Sequence, residues 1–100
     1  MTTAFEEKIY SKLRKVPRGR VTTYKELARA VKSKGYRAVG QAMHKNPYAP
    51  QVPCHRVVSS NGGIGGFASG IKKKIAMLKE EGVLVRDGRV VDFDEHLFRF

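Results

Sequence analysis

Residues 21–45 read VTTYKELARAVKSKGYRAVGQAMHK, and this stretch decides the fold. Val21-Thr22 is a short extended link. Thr23 is a helix N-cap candidate, and Glu26 three residues later gives the pattern of a capping box. Tyr24 to Val31 then reads as a short helix with Leu27, Ala28 and Val31 on its inner face. Ser33-Lys34-Gly35 breaks the chain. Tyr36 to Lys45 reads as a second helix whose inner face is Val39, Ala42 and Met43. Two short helices joined by a tight, glycine-containing turn make a helix-turn-helix.

The flanks extend this pattern. Upstream, Phe5, Ile9, Leu13 and Val16 fall on one helical face over Ala4 to Val16, and Pro17-Arg18-Gly19 stops the helix. Downstream, Pro47, Pro50 and Pro53 exclude regular structure, and Val57-Val58 favours an extended chain. Ser59 to Gly66 is a glycine-rich loop with an Asn-Gly turn signal; it lacks the Gly-Lys-Ser/Thr of a phosphate loop and the spacing of a dinucleotide fingerprint. Ser69 to Glu81 reads as a helix, with Ile71, Ile75 and Leu78 inward, Lys72, Lys73, Lys74 and Lys79 outward, and Gly82 at its end. Val83-Leu84-Val85 and Arg89-Val90-Val91 flank Arg86-Asp87-Gly88 as a hairpin. Phe93, Leu97, Phe98 and Phe100 are left to cover the core. The expected architecture is mainly α with short β segments, winged helix-turn-helix-like, in one domain over residues 1–100.

With 100 residues, 41% of them hydrophobic and 29% charged, the chain has the profile of a folded domain with one core, which excludes global disorder. No apolar run approaches the roughly 20 residues of a membrane span. Met1 to Glu7 has neither the basic nor the apolar region of a signal peptide, and a single cysteine excludes an intrachain disulfide. The expected setting is intracellular and cytoplasmic (with the nucleoid, in a prokaryote), without a membrane partner. Charge says more. Lys and Arg number 20 against 9 Asp and Glu, a net charge of +11. From Leu27 to Lys79 there is no acid, while Arg29, Lys32, Lys34, Arg37, Lys45, Arg56, Lys72, Lys73, Lys74 and Lys79 all fall there. Such segregation points to a polyanion, with affinity that falls with salt. A basic protein with no nucleic-acid role is the alternative.

Cys54 is the sharpest chemical feature. A lone cysteine is either a buried inert hydrophobe or a nucleophile. Here Pro53 stiffens its approach, and His55-Arg56 would favour a thiolate. On an extended chain His55 would point away from Cys54, so it reaches the thiol only through a bend or a bridging water. The base also needs an orienting acid, and the nearest downstream are Glu80 and Glu81. His44, His55, His96 and Cys54 show no zinc-ligand spacing, so no metal is expected. Arg37 opens the second helix of the helix-turn-helix, either as a solvated surface side chain or as a DNA contact.

Pro53-Cys54-His55-Arg56-Val57 resembles the active-site signature of the O6-alkylguanine-DNA alkyltransferases, the methylated-DNA–protein-cysteine methyltransferases. Val21-Thr22-Thr23-Tyr24 with Leu27-Ala28 is similar to that family's first helix-turn-helix element, and Arg37-Ala38-Val39-Gly40 with Ala42-Met43 to its recognition helix. Asn46-Pro47, the glycine-rich loop and Glu81-Gly82 fall in family order, so the resemblance covers roughly residues 5 to 83. It implies that Cys54 takes the alkyl group from guanine O6 in duplex DNA and keeps it, one turnover per monomer, with no cofactor. His55 would deprotonate Cys54 through a water, Glu81 would orient His55, and Asn46 would brace the loop before the cysteine. Tyr24 would donate to N3 of the flipped guanine and help rotate its phosphate. Arg37 would fill the vacated stack from the minor groove, and Ala38 would allow the helix to approach closely. The residues contacting DNA or the base would further include Arg56, Gly65 and Phe67, the carbonyls of Cys54 and Val57, and the Ala68 backbone N–H facing O6. Extrusion is what the chemistry demands, since the duplex hides the O6 substituent.

Two departures stand out. Phe67-Ala68 replaces the Tyr-Ser common in the family, which removes a side-chain hydroxyl near O6, and the family's usual N-terminal domain is missing, so a catalytic domain standing alone is expected. Short chains of this kind resemble the alkyltransferase-like proteins, which bind alkylated DNA without repairing it and carry another residue in place of the cysteine. A lesion-flagging module is therefore the second reading. A helix-turn-helix regulator is the third, but it leaves the Pro-Cys-His-Arg segment unexplained.

Overall fold

Helix α1 runs from Ala4 to Leu13. Thr3 caps it in a full capping box, exchanging side-chain and backbone bonds with Glu6. It ends before the expected Val16, because the chain tightens into i→i+3 bonds (Lys15 N–H to Lys12 O, Val16 N–H to Leu13 O) ahead of Pro17. The computed structural model describes residues 2–32, 36–48, 51–64 and 71–100.

Strand β1, Thr22–Thr23, leads directly into α2, Tyr24–Ala30, and α3 follows at Tyr36–Lys45. Thr23 Oγ1 caps α2 by accepting from Glu26 N–H at 3.0 Å. The inner faces are those the spacing predicts: Leu27 and Ala28 from α2, and Val39, Ala42 and Met43 from α3, are buried against Ile9, Tyr10, Leu13 and Val16. Tyr10 is fully buried and donates its hydroxyl to the Ala42 carbonyl at 2.8 Å, tying α1 to α3.

A 3₁₀ turn at Cys54–Arg56 runs into strand β2, Val57–Val58, which pairs parallel with β1 in the register Thr22↔Val57 and Thr23↔Val58. Strand alternation sends Val57 into the helix-turn-helix core and Val58 into a second cluster with Val21, Ile64, Leu78, Val83 and Val90. Helix α4, Ile71–Glu80, packs on that second cluster. It departs from its predicted face at two positions: Ile71 is 37% exposed, whereas Lys74, expected outward, is 4% exposed.

Gly82, at φ +88°, ends α4. Gly82 N–H bonds to Lys79 O at 3.0 Å and Val83 N–H to Leu78 O at 2.8 Å, a Schellman stop sealed by the buried Val83 and Leu78. The hairpin is as predicted, with β3 (Val85–Arg86) antiparallel to β4 (Arg89–Val90) around Asp87 and Gly88, both at positive φ. After α5, Phe93–His96, the tail returns to the start of β1. Val21 N–H donates to His96 O and Phe98 N–H to Val21 O. Phe93 and Phe98 cover the two clusters, whereas Phe100 is 41% exposed. Among the described residues, no helix is long and apolar enough to cross a membrane, and no group of three His, Cys, Asp or Glu is placed to hold a metal.

Candidate functional site

Asn46 follows α3 and bridges both ends of the segment that leads to the cysteine. Its Nδ2 donates to Val52 O at 2.9 Å, and its Oδ1 accepts from Tyr48 N–H at 3.0 Å. Cys54 N–H then donates to Val52 O and Arg56 N–H to Pro53 O, both at 2.9 Å, which curls Cys54–Arg56 into the 3₁₀ turn. This is the bend that an extended reading of Cys54-His55 lacked. Cys54 is a half-buried free thiol.

His55 is turned inward, and its Nε2 lies 2.9 Å from Glu81 Oε2, with each side chain only 8% exposed. The Schellman stop holds Glu81 at this spot, the last residue before the chain leaves the helix axis. Glu81 also takes Arg56, whose Nε donates to Oε1 at 2.9 Å and Nη2 to Oε2 at 2.7 Å. Burial pushes the Glu81 carboxyl up, but the hydrogen bonds and charges of Arg56 and His55 outweigh it and hold its pKa at about 2. Glu81 is therefore a fixed anion behind His55. Arg56 differs from its expected place among the residues contacting DNA or the base. Its guanidinium is occupied inside the molecule, with Nη1 donating to Val16 O at 2.8 Å, so it braces the turn.

Tyr24 and Arg37, far apart in sequence, meet at one cleft of about 480 Å³ that is lined also by Lys25, Gly40, Ser59 and Ser60. Arg37 and Ala38 are exposed at the start of α3. A Cβ at Gly40 would meet nothing within 4 Å, so packing does not demand glycine there; its missing side chain leaves the cleft open. Burial raises the Tyr24 hydroxyl above its ordinary value, with the Cys54 charge adding to it, so Tyr24 is a neutral donor within electrostatic reach of the thiol. Val57 is fully buried and its carbonyl accepts from Lys74 Nζ at 2.6 Å, so a base would share that oxygen; the Cys54 carbonyl accepts from Val57 N–H. Gly65, Phe67 and Ala68 lie outside the described residues.

Sequence reasoning missed three residues of this region. Ser59 and Ser60 follow β2 and were read only as loop. Lys74 was read as outward, although its spacing from Ile71 and Leu78 puts it on the inward face.

A helix pair whose leading strand β1 shares a two-stranded ladder with the strand leaving a cysteine turn, backed by a His–Glu pair, defines a DNA-binding domain type with a thiol built in. The profile described as "6-O-methylguanine DNA methyltransferase, DNA binding domain" matches residues 4–83, and the chain belongs to that family. It is 52% identical over 82 residues to the methylated-DNA–protein-cysteine methyltransferase of Thermococcus kodakarensis, covering 81% of this chain and 46% of that protein. It is 45% identical over 85 residues to the one from Metallosphaera sedula, covering 85% and 53%. The chain thus spans about half the length of the curated relatives it matches. Among solved structures it resembles S. pombe Atl1 in complex with damaged DNA containing O6-carboxymethylguanine, with a TM-score of 0.86, 32% identity and 100% of both chains covered. It also resembles the O6-methylguanine-DNA methyltransferase of Pyrococcus kodakaraensis KOD1, with a TM-score of 0.74, 51% identity and 82% of this chain against 48% of that one.

Proposed function

We propose that this chain repairs duplex DNA by irreversible transfer of the alkyl group from O6-alkylguanine to Cys54, acting as a monomer that needs no metal or cofactor. The observation that carries this reading is the half-buried Cys54 in a braced turn, next to a His55 held by Glu81, a carboxylate kept ionised at neutral pH. In the reaction, His55 takes the thiol proton through a water, and the imidazolium is stabilised by Glu81. The thiolate sulfur forms a bond to the alkyl carbon, and the carbon–O6 bond breaks with its electron pair moving into the purine. The base takes up a proton from water on a ring nitrogen and the imidazolium returns its proton to solvent, so the thiol proton ends on the guanine, while the neutral Tyr24 hydroxyl donates a hydrogen bond to N3. That Tyr24 and Arg37 line one cleft supports extrusion of the nucleotide, with Tyr24 against the base and Arg37 taking the space it leaves in the stack.

The test is intact mass after mixing with a duplex carrying O6-methylguanine. The protein should gain one methyl group, and Cys54→Ala should gain none while keeping most of its DNA affinity, which comes from the cations. Transfer by Cys54→Ala refutes the assignment. A second reading, recognition of the lesion without repair, is favoured by the full-length match to S. pombe Atl1, since the structural match to the methyltransferase covers 82% of the chain. Tight lesion binding with no mass gain by the unaltered protein would establish it.

A further inference from the structure

Past residue 83, where the family match ends, the β3–β4 hairpin and α5 grip the loop that follows β2. That loop first closes on itself. Gly62 N–H donates to Ser59 O and Ser59 N–H to Gly63 O, both at 2.9 Å, and Gly63 N–H donates to Asn61 Oδ1. Strand β4 then pairs with it. Ile64 N–H donates to Gly88 O at 2.8 Å and Val90 N–H to Gly62 O at 2.9 Å, on either side of the antiparallel pair Gly63↔Arg89. From the same position the exposed Arg89 side chain reaches back, and its Nη2 donates to Asn61 O at 2.7 Å. Helix α5 adds a stop. Gly62 sits at φ +84°, and a Cβ there would lie 3.0 Å from Phe93 Cγ, so the loop backbone rests on that ring. The start of this loop, Ser59 and Ser60, is one wall of the cleft that Tyr24 and Arg37 share, and no hairpin residue lines that cleft.

We propose that Arg89 is a positioning residue for lesion recognition: through the Asn61 carbonyl it holds the Ser59–Ser60 wall where an extruded base would meet it, without lining the cleft itself. The inference rests on the reading of that cleft as the seat of the extruded base. A wall ordered in advance lowers the entropy cost of binding, so losing the brace weakens the complex that uses the wall. An undamaged duplex, held through its phosphates, makes no use of it.

The brace is tested first without DNA. Arg89→Met keeps the length of the side chain and removes its donors. In the folded variant, confirmed by circular dichroism, amide hydrogen exchange at Gly62 and Gly63 followed by NMR should speed up about fivefold. Unchanged exchange overturns the brace, whatever the DNA results. Its function is then read by equilibrium binding in a Cys54→Ala background, where no transfer consumes the lesion. Arg89→Met should bind a duplex carrying O6-methylguanine about fivefold more weakly and the unmodified duplex of the same sequence within about twofold of the parent. Equal weakening on both duplexes, with the salt slope reduced by about one, makes Arg89 a phosphate contact and overturns the proposal. Gly62→Ala attacks the same wall by pressing a methyl on Phe93, and it should lose lesion affinity in the same selective way; a folded Gly62→Ala with the parent's selectivity overturns the proposal as well. Methyl uptake by the wild-type protein is measured alongside. Selective loss without uptake refutes the transfer reading alone, and normal uptake with unchanged selectivity refutes the role of Arg89 alone.

Discussion

Glu81→Gln removes one charge and leaves shape and volume almost unchanged, which makes it the cleanest perturbation of the site. The carboxylate accepts from His55 Nε2, Arg56 Nε and Arg56 Nη2 at 2.7–2.9 Å, and only 8% of the side chain is exposed. Its pKa falls from the ordinary 4.5 to about 2, which at about 1.4 kcal/mol per unit stabilises the fold by about 3 kcal/mol. The sign follows from proton uptake. The unfolded chain takes up the proton first as the pH falls, so the stabilisation is complete above pH 4.5 and lost towards pH 2. A domain of this size has total stability of about 5–15 kcal/mol, so the loss is large. Urea unfolding followed by circular dichroism at several pH values between 7 and 2 should show wild type losing stability steeply below pH 4.5. Glu81→Gln should be weaker at neutral pH and flatter in acid, with the two curves converging near pH 2. Other carboxyls titrate in the same window, including Glu7, which the Thr2 and Tyr48 hydroxyls hold below its ordinary value, so the difference between the curves is the readout. Parallel curves with no convergence would refute the buried-anion account. The same variant should slow alkyl transfer, because the imidazolium loses its counter-charge.

Three further outcomes are expected. The Lys74 pKa of about 8 lies below the 10.5 of a free lysine, so stability should rise by about 2–3 kcal/mol between pH 8 and 10, and Lys74→Met should lose that rise in the same unfolding assay. Tyr10→Phe leaves the Ala42 carbonyl without its buried donor and should cost about 1–3 kcal/mol in urea unfolding. Arg37→Ala should slow transfer on paired duplex more than on a duplex mismatched at the lesion, and least on free modified base; equal slowing on all three would refute an intercalating role.

Local chemistry was legible in the sequence and partnership was not. The inner faces of α2 and α3 followed from spacing alone, and Gly82 and Asp87-Gly88 stopped the helix and turned the hairpin where backbone sterics demand. Arg56 was misplaced because a cation beside a reactive cysteine in a basic stretch suggests DNA, whereas the bidentate bond to Glu81, 25 residues on, is invisible until the α4 stop is placed. Lys74 was misplaced because residue type was allowed to overrule helical phase. Lys74, Ile75 and Leu78 share one helical face, and the structure follows phase at these three, while Ile71 at the helix start is exposed. The β1–β2 pairing could not be foreseen, since two residues per strand carry no readable alternation.

That short parallel ladder is also what joins recognition to chemistry. Thr23 is at once the last residue of β1 and the N-cap of α2, so Tyr24 begins its helix directly beside Val58. On the other strand, Val57 is both the end of the cysteine turn and the anchor of Lys74. The start of α2 and the cysteine turn are therefore separated by one hydrogen-bonded strand width. The C-terminal tail reinforces the same point from behind. Arg20 donates to the His96 and Leu97 carbonyls, and Thr22 Oγ1 donates to Phe98 O at 3.0 Å, which fixes the entry to β1. On the proposed reading, a base turned out beside α3 would enter the cleft that Tyr24 and Arg37 share with Ser59 and Ser60 of the β2 side. On the proposed transfer reading, mounting of this kind would keep the Cys54 thiolate in line with the alkyl carbon, and a thiolate displaced from that line would lose the near-attack geometry on which the rate depends.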